Sequence, residues 1–222
     1  MAASRLARGF PILVCVLAVS VAWVAWCGPP AAPPAPAPAS PGPKAARVLV
    51  AYHSRRGNTE KMAQGVLDGV RRVPGAIGIL KKVGDVTKED LEQADAIILG
   101  SPTYYANIPG AMKTVIDDWA WKMKVDFTDK VGGAFSTGGG QTGGKEHVVT
   151  SLLLYMLSNR MLVAGPFYED LDKGDIWGEP GSSAMTGPLD FGVSQQELDG
   201  ALRLGERIAR LTRKLKAPEG KE

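Results

Sequence analysis

Six consecutive residues, Ser54-Arg55-Arg56-Gly57-Asn58-Thr59, concentrate more binding chemistry than any other stretch of the 222-residue chain. They combine hydroxyls, an amide, two cations and one glycine between an apolar run (Val48, Leu49, Val50, Ala51) and a helical pattern. A polar loop there opens straight into a helix, where unpaired amides and the helix dipole favour an anion. No Gly-Lys-Ser/Thr follows, and one glycine cannot make the Gly-x-Gly-x-x-Gly fingerprint, so neither a nucleotide triphosphate nor a dinucleotide loop is indicated. Hydroxyls around a single glycine suit a terminal monophosphate. An ordinary strand–turn–helix capped by Ser54 or Asn58 is the plain alternative.

Two further loops stand out. Ser101-Pro-Thr-Tyr-Tyr-Ala-Asn-Ile-Pro-Gly110 sets two aromatic rings in a proline-stiffened backbone, apt for a flat conjugated ring. Ser136-Thr-Gly-Gly-Gly-Gln-Thr-Gly-Gly144 has five glycines in nine residues, which lets backbone amides come close to a ligand. Taken singly, Tyr104 and Tyr105 could be core packing and the glycine run a flexible surface loop.

The elements that must position these loops alternate. Apolar strands at 48–51, 77–82, 96–100, 131–135 and 161–164 are separated by helical patterns at 58–72, up to Leu91, 110–121 and 145–159. In the first helix Met62, Ala63, Val66, Leu67 and Val70 share one face. Ser194-Gln-Gln-Glu197 is a capping box opening a last helix to about Lys216. Strands alternating with helices mean parallel βαβ units in a doubly wound α/β sheet. Ligands bind such a sheet beyond the carboxyl ends of its strands, where the three loops lie.

Composition narrows the chemistry. The formal net charge is +3, and removing Arg5 and Arg8 leaves +1 for the part from Lys44 onward, which argues against a nucleic-acid partner. Both cysteines, Cys15 and Cys27, precede the globular part, so it has no disulfide, thiolate metal site or cysteine nucleophile. His53 and His147 are its only imidazoles and are far apart in sequence, so no catalytic metal is expected.

Residues 1–27 read as a membrane anchor or signal segment. Phe10 to Trp26 is apolar and uncharged, Arg5 and Arg8 precede it, and Trp23 and Trp26 suit the membrane interface. An uncleaved anchor is favoured over lipidation at Cys27, because Trp26 is bulky for a lipoprotein processing site; a buried core helix is the remaining alternative. Residues 28–45 form a Pro/Ala-rich spacer, 46–216 the globular domain and 217–222 a tail. The charge asymmetry places the domain outside the cytoplasm, on the periplasmic side.

The runs Tyr-His-Ser-Arg-Arg-Gly-Asn-Thr-Glu (52–60), Gly-Ser-Pro-Thr-Tyr-Tyr-Ala-Asn-Ile-Pro-Gly (100–110) and Phe-Ser-Thr-Gly-Gly-Gly-Gln (135–141) together resemble the flavodoxin-like FMN proteins. They are most like the NAD(P)H:quinone oxidoreductases once called tryptophan-repressor-binding proteins, over about residues 46–215. The resemblance implies a flavodoxin-like three-layer sandwich around a five-stranded parallel sheet of order 2-1-3-4-5; the one hydrophobic N-terminal helix expected before it is a departure from the family. It implies that Ser54, Arg55, Gly57, Asn58 and Thr59 hold the FMN phosphate. Pro102, Thr103, Tyr104, Tyr105, Ala106 and Asn107 would bind along the isoalloxazine, and Ser136, Thr137, Gly138, Gly139 and Gln141 would close over ring and ribityl chain. The family has Arg-Phe-Gly where this chain has Tyr104-Tyr105-Ala106, and a flavin-facing histidine near the position of Asn159. The chain is also shorter than the family after the second strand, so family oligomer contacts need not carry over, and a homo-oligomer stays open.

The expected activity is transfer of two electrons from NAD(P)H through FMN to a quinone-like acceptor, with no side chain acting as nucleophile. A tether would suit a membrane-dissolved quinone, although an extracytoplasmic domain is separated from NAD(P)H. The rivals are a one-electron FMN carrier, disfavoured by the near-neutral charge, and a membrane-tethered scaffold without flavin.

Overall fold

The computed structural model describes residues 45–167 and 180–217. The expected anchor, most of the spacer and most of the tail lie outside the described residues. Among those described, no helix is long and apolar enough to cross a membrane.

The elements are β1 (Ala46–Tyr52), α1 (Asn58–Arg71), β2 (Ala76–Lys82), a 3-10 turn (Val83–Asp85), α2 (Lys88–Gln93), β3 (Ala96–Pro102), α3 (Gly110–Trp121), β4 (Val131–Gly138), α4 (Lys145–Ser158), β5 (Leu162–Val163), β6 (Ser182–Met185) and α5 (Gln195–Lys216). The strands pair in parallel in the order β2-β1-β3-β4-β5, as expected, with β6 as an extra partner of β4. Alternation along the central strands decides the layers. Leu49, Ile97 and Leu99 pack with Leu91, Met112, Ile116, Trp119 and Leu152 on one face. Val48, Val50 and Ile98 pack with Met62, Val66, Leu204 and Ile208 on the other. That is the three-layer sandwich.

The expected last core strand at 161–164 needs correcting. Only Leu162 and Val163 pair, with Val131 and Gly132 at the start of β4, and Leu162 is half exposed. The same edge of β4 is taken up again by Ser182–Met185, opposite Phe135–Gly138. The fifth strand is therefore built in two pieces. Ser182-Ser183-Ala184-Met185 carries no alternating apolar pattern, yet Ser182, Ser183 and Ala184 are all buried.

Helices α1 and α5 approach unusually closely. A methyl group on Gly69 would stand 1.9 Å from the carbonyl oxygen of Leu202, and one on Gly205 would stand 1.9 Å from that of Val66. Two glycines facing opposite ways thus let the helix backbones nearly touch. Helix starts are fixed by reciprocal caps. Ser194 and Glu197 form the box read from the sequence, and Thr87 with Asp90 forms a second one at α2. Asp90 also accepts from Lys81 Nζ at 2.6 Å. Burial alone would raise the Asp90 carboxyl, but the Lys81 ammonium and the Thr87 donors outweigh it and hold the pKa below the ordinary value.

Two outcomes are expected from denaturant unfolding. Gly205→Ala should lose about 2 kcal/mol, because an overpacked contact between two backbones has no flexible side chain to yield. Asp90→Asn should cost about 1 kcal/mol at neutral pH, the usual worth of a lost cap and charged hydrogen bond. Because the folded pKa is depressed, that stability is present above the unfolded carboxylate pKa and vanishes as pH falls through the folded one. The variant and the parent should therefore converge in strong acid; a gap independent of pH would refute the assignment.

Candidate functional site

Three strands deliver their loops to one cleft at their carboxyl ends, with a volume of about 650 Å³. Beyond Tyr52 the pairing of β1 continues one bond further, from His53 N to Gly100 O at 2.9 Å. Burial, and next Arg55, push the His53 pKa below its ordinary value, favouring the neutral ring. The loop then turns at Gly57, whose φ of +90° makes it the N-cap of α1. Neither Ser54 nor Asn58 caps the helix through its side chain. Instead Ser54 Oγ accepts from Gly57 N at 3.1 Å, folding the loop on itself. The first-turn amides of α1 have no intrahelical acceptor and are free for a ligand. Tyr52 Oη donates to Glu60 Oε1 at 2.7 Å, tying the strand end to that first turn. Burial, then Glu60, push the Tyr52 pKa up to about 12, so the donor stays protonated.

The second loop is a tight hairpin. Tyr104 and Asn107 exchange both backbone hydrogen bonds at 3.0 Å, with Tyr105 and Ala106 at the tip at φ of 51° and 59°. Left-handed φ at two consecutive non-glycine residues is strained. It presents Tyr105 fully to solvent at the rim, whereas Tyr104 is half-buried. Tyr105 is therefore not core packing.

The third loop leaves β4 through Thr137 and Gly138. Thr137 Oγ1 meets Thr59 Oγ1 at 2.8 Å and Thr137 O accepts from Thr103 N at 2.7 Å, so one residue joins all three loops. Ser136 lies underneath, with its Oγ 3.0 Å from Thr103 Oγ1. The glycine-rich stretch is not free either. Lys145, 5 % exposed, donates to the carbonyls of Gly140 and Gln141 at 3.1 and 3.0 Å.

Most of the residues singled out from the sequence line this cleft: Ser54, Arg55, Asn58 and Thr59, then Pro102, Thr103, Tyr104 and Tyr105, then Thr137, Gly138 and Gly139. Five of them support it without lining it. Gly57 makes the turn, Ala106 and Asn107 form the back of the hairpin, Ser136 holds Thr103, and Gln141 offers its carbonyl to Lys145. Asn159 is not near the cleft. It ends α4 beside the start of β5, at the amino end of the sheet.

A fourth loop escaped the sequence reading. Thr186, Gly187, Pro188 and Asp190, between β6 and α5, close the remaining side, and Arg56 joins them from the first loop. Thr186 N donates to Gly138 O at 2.9 Å. Glu197, beyond its capping role, accepts from Met185 N at 2.6 Å and so fastens β6 to α5. The local signal available was the capping box, which marks Glu197 but not its second partner.

The model of the NADPH-dependent FMN reductase family matches residues 77–170. A NAD(P)H dehydrogenase (quinone) of Solidesulfovibrio magneticus is 30% identical over 208 residues, covering 77% of this chain and 99% of the relative. A flavodoxin of Aquifex aeolicus is 39% identical over 163 residues, covering 73% and 85%. Among solved structures, a flavodoxin, WrbA-like protein from Agrobacterium tumefaciens superimposes with a TM-score of 0.61 at 25% identity, covering 76% and 98%. The chain belongs to the flavodoxin-like FMN protein family, near its NAD(P)H:quinone oxidoreductases.

Proposed function

We propose that the chain is an FMN-dependent oxidoreductase that passes two electrons from NAD(P)H to a quinone-like acceptor. The observation carrying this reading is the convergence of a phosphate-type loop, an aromatic hairpin and a glycine-rich strand end on one cleft. The residues present fit FMN. Amides of the first turn of α1, the hydroxyl of Ser54, the amide of Asn58 and the cation of Arg55 form a monophosphate donor set. A volume of about 650 Å³ falls within the usual range for a cofactor site.

Bound there, FMN would supply the acceptance and release of the electron pair. The chain's own contribution is to hold and to shield. The linked hydroxyls of Thr59 and Thr137 fix the phosphate loop to β4, so the two walls keep their spacing. Gly139 leaves room for a ring to approach backbone, with only Gly187 near its missing side chain, whereas the space beside Gly138 is taken by Lys145. Tyr104 and Tyr105 offer aromatic faces at the rim, where a planar acceptor would also enter. The amides of Thr103 and Tyr104 are engaged by Thr137 and Asn107, so those of Tyr105 and Ala106, at the hairpin tip, would be the ones to balance negative charge developing on the ring.

The segment 1–43 extends the proposal to a membrane-tethered domain facing a membrane-dissolved acceptor, on the periplasmic side. A carrier reading draws support from the 39% identity to a relative named flavodoxin. One titration separates the two. Full-length protein in detergent is mixed with FMN and its absorption followed. Flavin bands bleached by NADPH or NADH and restored by a benzoquinone are the expected result. Bound flavin that neither nucleotide bleaches would favour the carrier and the extracytoplasmic address, and no uptake of flavin would refute both. In the same titration Arg55→Ala should weaken FMN binding about tenfold (about 1.4 kcal/mol) and leave riboflavin binding alone.

A further inference from the structure

We propose that Asp190 is a built-in rival of the cofactor phosphate, so that this chain holds FMN as an exchangeable ligand rather than a permanent one. The inference rests on the FMN reading of the cleft. Asp190 is the only carboxylate among the described residues that line it. Its Oδ1 accepts from Asn58 Nδ2, and its Oδ2 lies 3.9 Å from Arg56 Nη1. Asn58 and Arg56 both belong to the phosphate-type loop. The loop's amide and one of its two guanidinium groups are therefore already turned to an anion that the chain itself provides.

The backbone presents this anion on a short, anchored arm. Asp190 has a φ of 58°, between Gly187 at 73° and Gly192 at 87°. Asp190 N donates to Gly187 O at 3.2 Å and Phe191 N to Thr186 O at 2.7 Å, closing the arm into a turn. On one side the arm is fixed by Thr186 N to Gly138 O at 2.9 Å, and on the other by Lys61 Nζ to Val193 O at 3.1 Å. The arm, running from β6 to α5, is thus anchored to β4 near its start and to α1 near its end, two of the elements that bound the cleft. The carboxylate is delivered to the loop by structure on both sides, not by a chance surface contact.

A phosphate dianion entering the cradle meets one of two situations. If Asp190 withdraws, its contacts with Asn58 and Arg56 are given up. If it stays, two like charges face each other across a few ångströms. Either way the phosphate of FMN contributes less to binding than the same loop would allow without Asp190. A flavin without phosphate is indifferent to the residue.

The test compares FMN with riboflavin on the full-length protein, by quenching of flavin fluorescence, in the parent and in Asp190→Asn. The substitution keeps size and an acceptor oxygen but removes the charge. FMN affinity should rise about tenfold (about 1.4 kcal/mol), with riboflavin affinity unchanged and slower release of FMN on dilution. FMN affinity that is unchanged or lowered, or a gain shared equally by riboflavin, would overturn the proposal. Should Asp190→Asn fail to fold, Asp190→Ala reads the same ratio of FMN to riboflavin affinity. Absence of flavin binding by the parent sinks the FMN reading along with this one, whereas bound FMN with an unmoved ratio sinks this one alone.

Discussion

The contact between α1 and α5 at Gly69 and Gly205 is the constraint on which the site depends. Each helix carries one wall of the cleft on its N-terminal end: the phosphate-type loop enters α1, and the loop holding Asp190 enters α5. The separation of those two loops is set by how near the helix axes can come. With backbone carbonyls nearly in contact with glycine Cα positions, that distance has no slack. Lys61 Nζ, on α1, bonds Val193 O just before α5, so the same pair of helices is tied again at the level of the cleft.

Within that frame the loops hold each other more than they are held by the core. Thr137 touches Thr59 by its hydroxyl and Thr103 by its carbonyl, and Ser136 touches Thr103 from below. Burying these hydroxyls is tolerable because they are paired with one another. Lys145 extends the principle to the glycine-rich stretch. Its buried ammonium draws two carbonyls inward, which leaves a glycine-rich backbone ordered without side chains to pack it. Rigidity here comes from polar cross-links, the means by which a solvent-facing site can be preorganised without an apolar core.

What could be read from the sequence follows how local each signal is. The three loops were legible because each is a contiguous run after an apolar strand, and the box of Ser194 and Glu197 because its partners are three residues apart. The strand Ser182–Met185 was hidden: its buried residues are two serines and an alanine, so no alternation marks it. The loop it delivers was hidden with it. Asn58 and Asp190 are 132 positions apart, and nothing in either neighbourhood names the other. Nothing local marks Gly69 and Gly205 either: each is needed because the backbone of the opposite helix, at Leu202 and at Val66, lies where a side chain would stand. Asn159, the position compared with the family's histidine, lies apart from the cleft of its own chain. Fourteen residues of α4 take the chain from the cleft to the far end of the sheet before Asn159 is reached.

The divided fifth strand has a consequence for how copies of this domain behave in a crowded solution. A long, flat outer strand would offer a ladder of free amides and carbonyls to the next molecule. Among the described residues that border consists of a two-residue piece and a four-residue piece. Neither is long enough to template a strand from a neighbour. The opposite border, β2, ends in Lys81 and Lys82, so it too discourages such pairing. The domain can accordingly reach high local density without its sheets growing into one another.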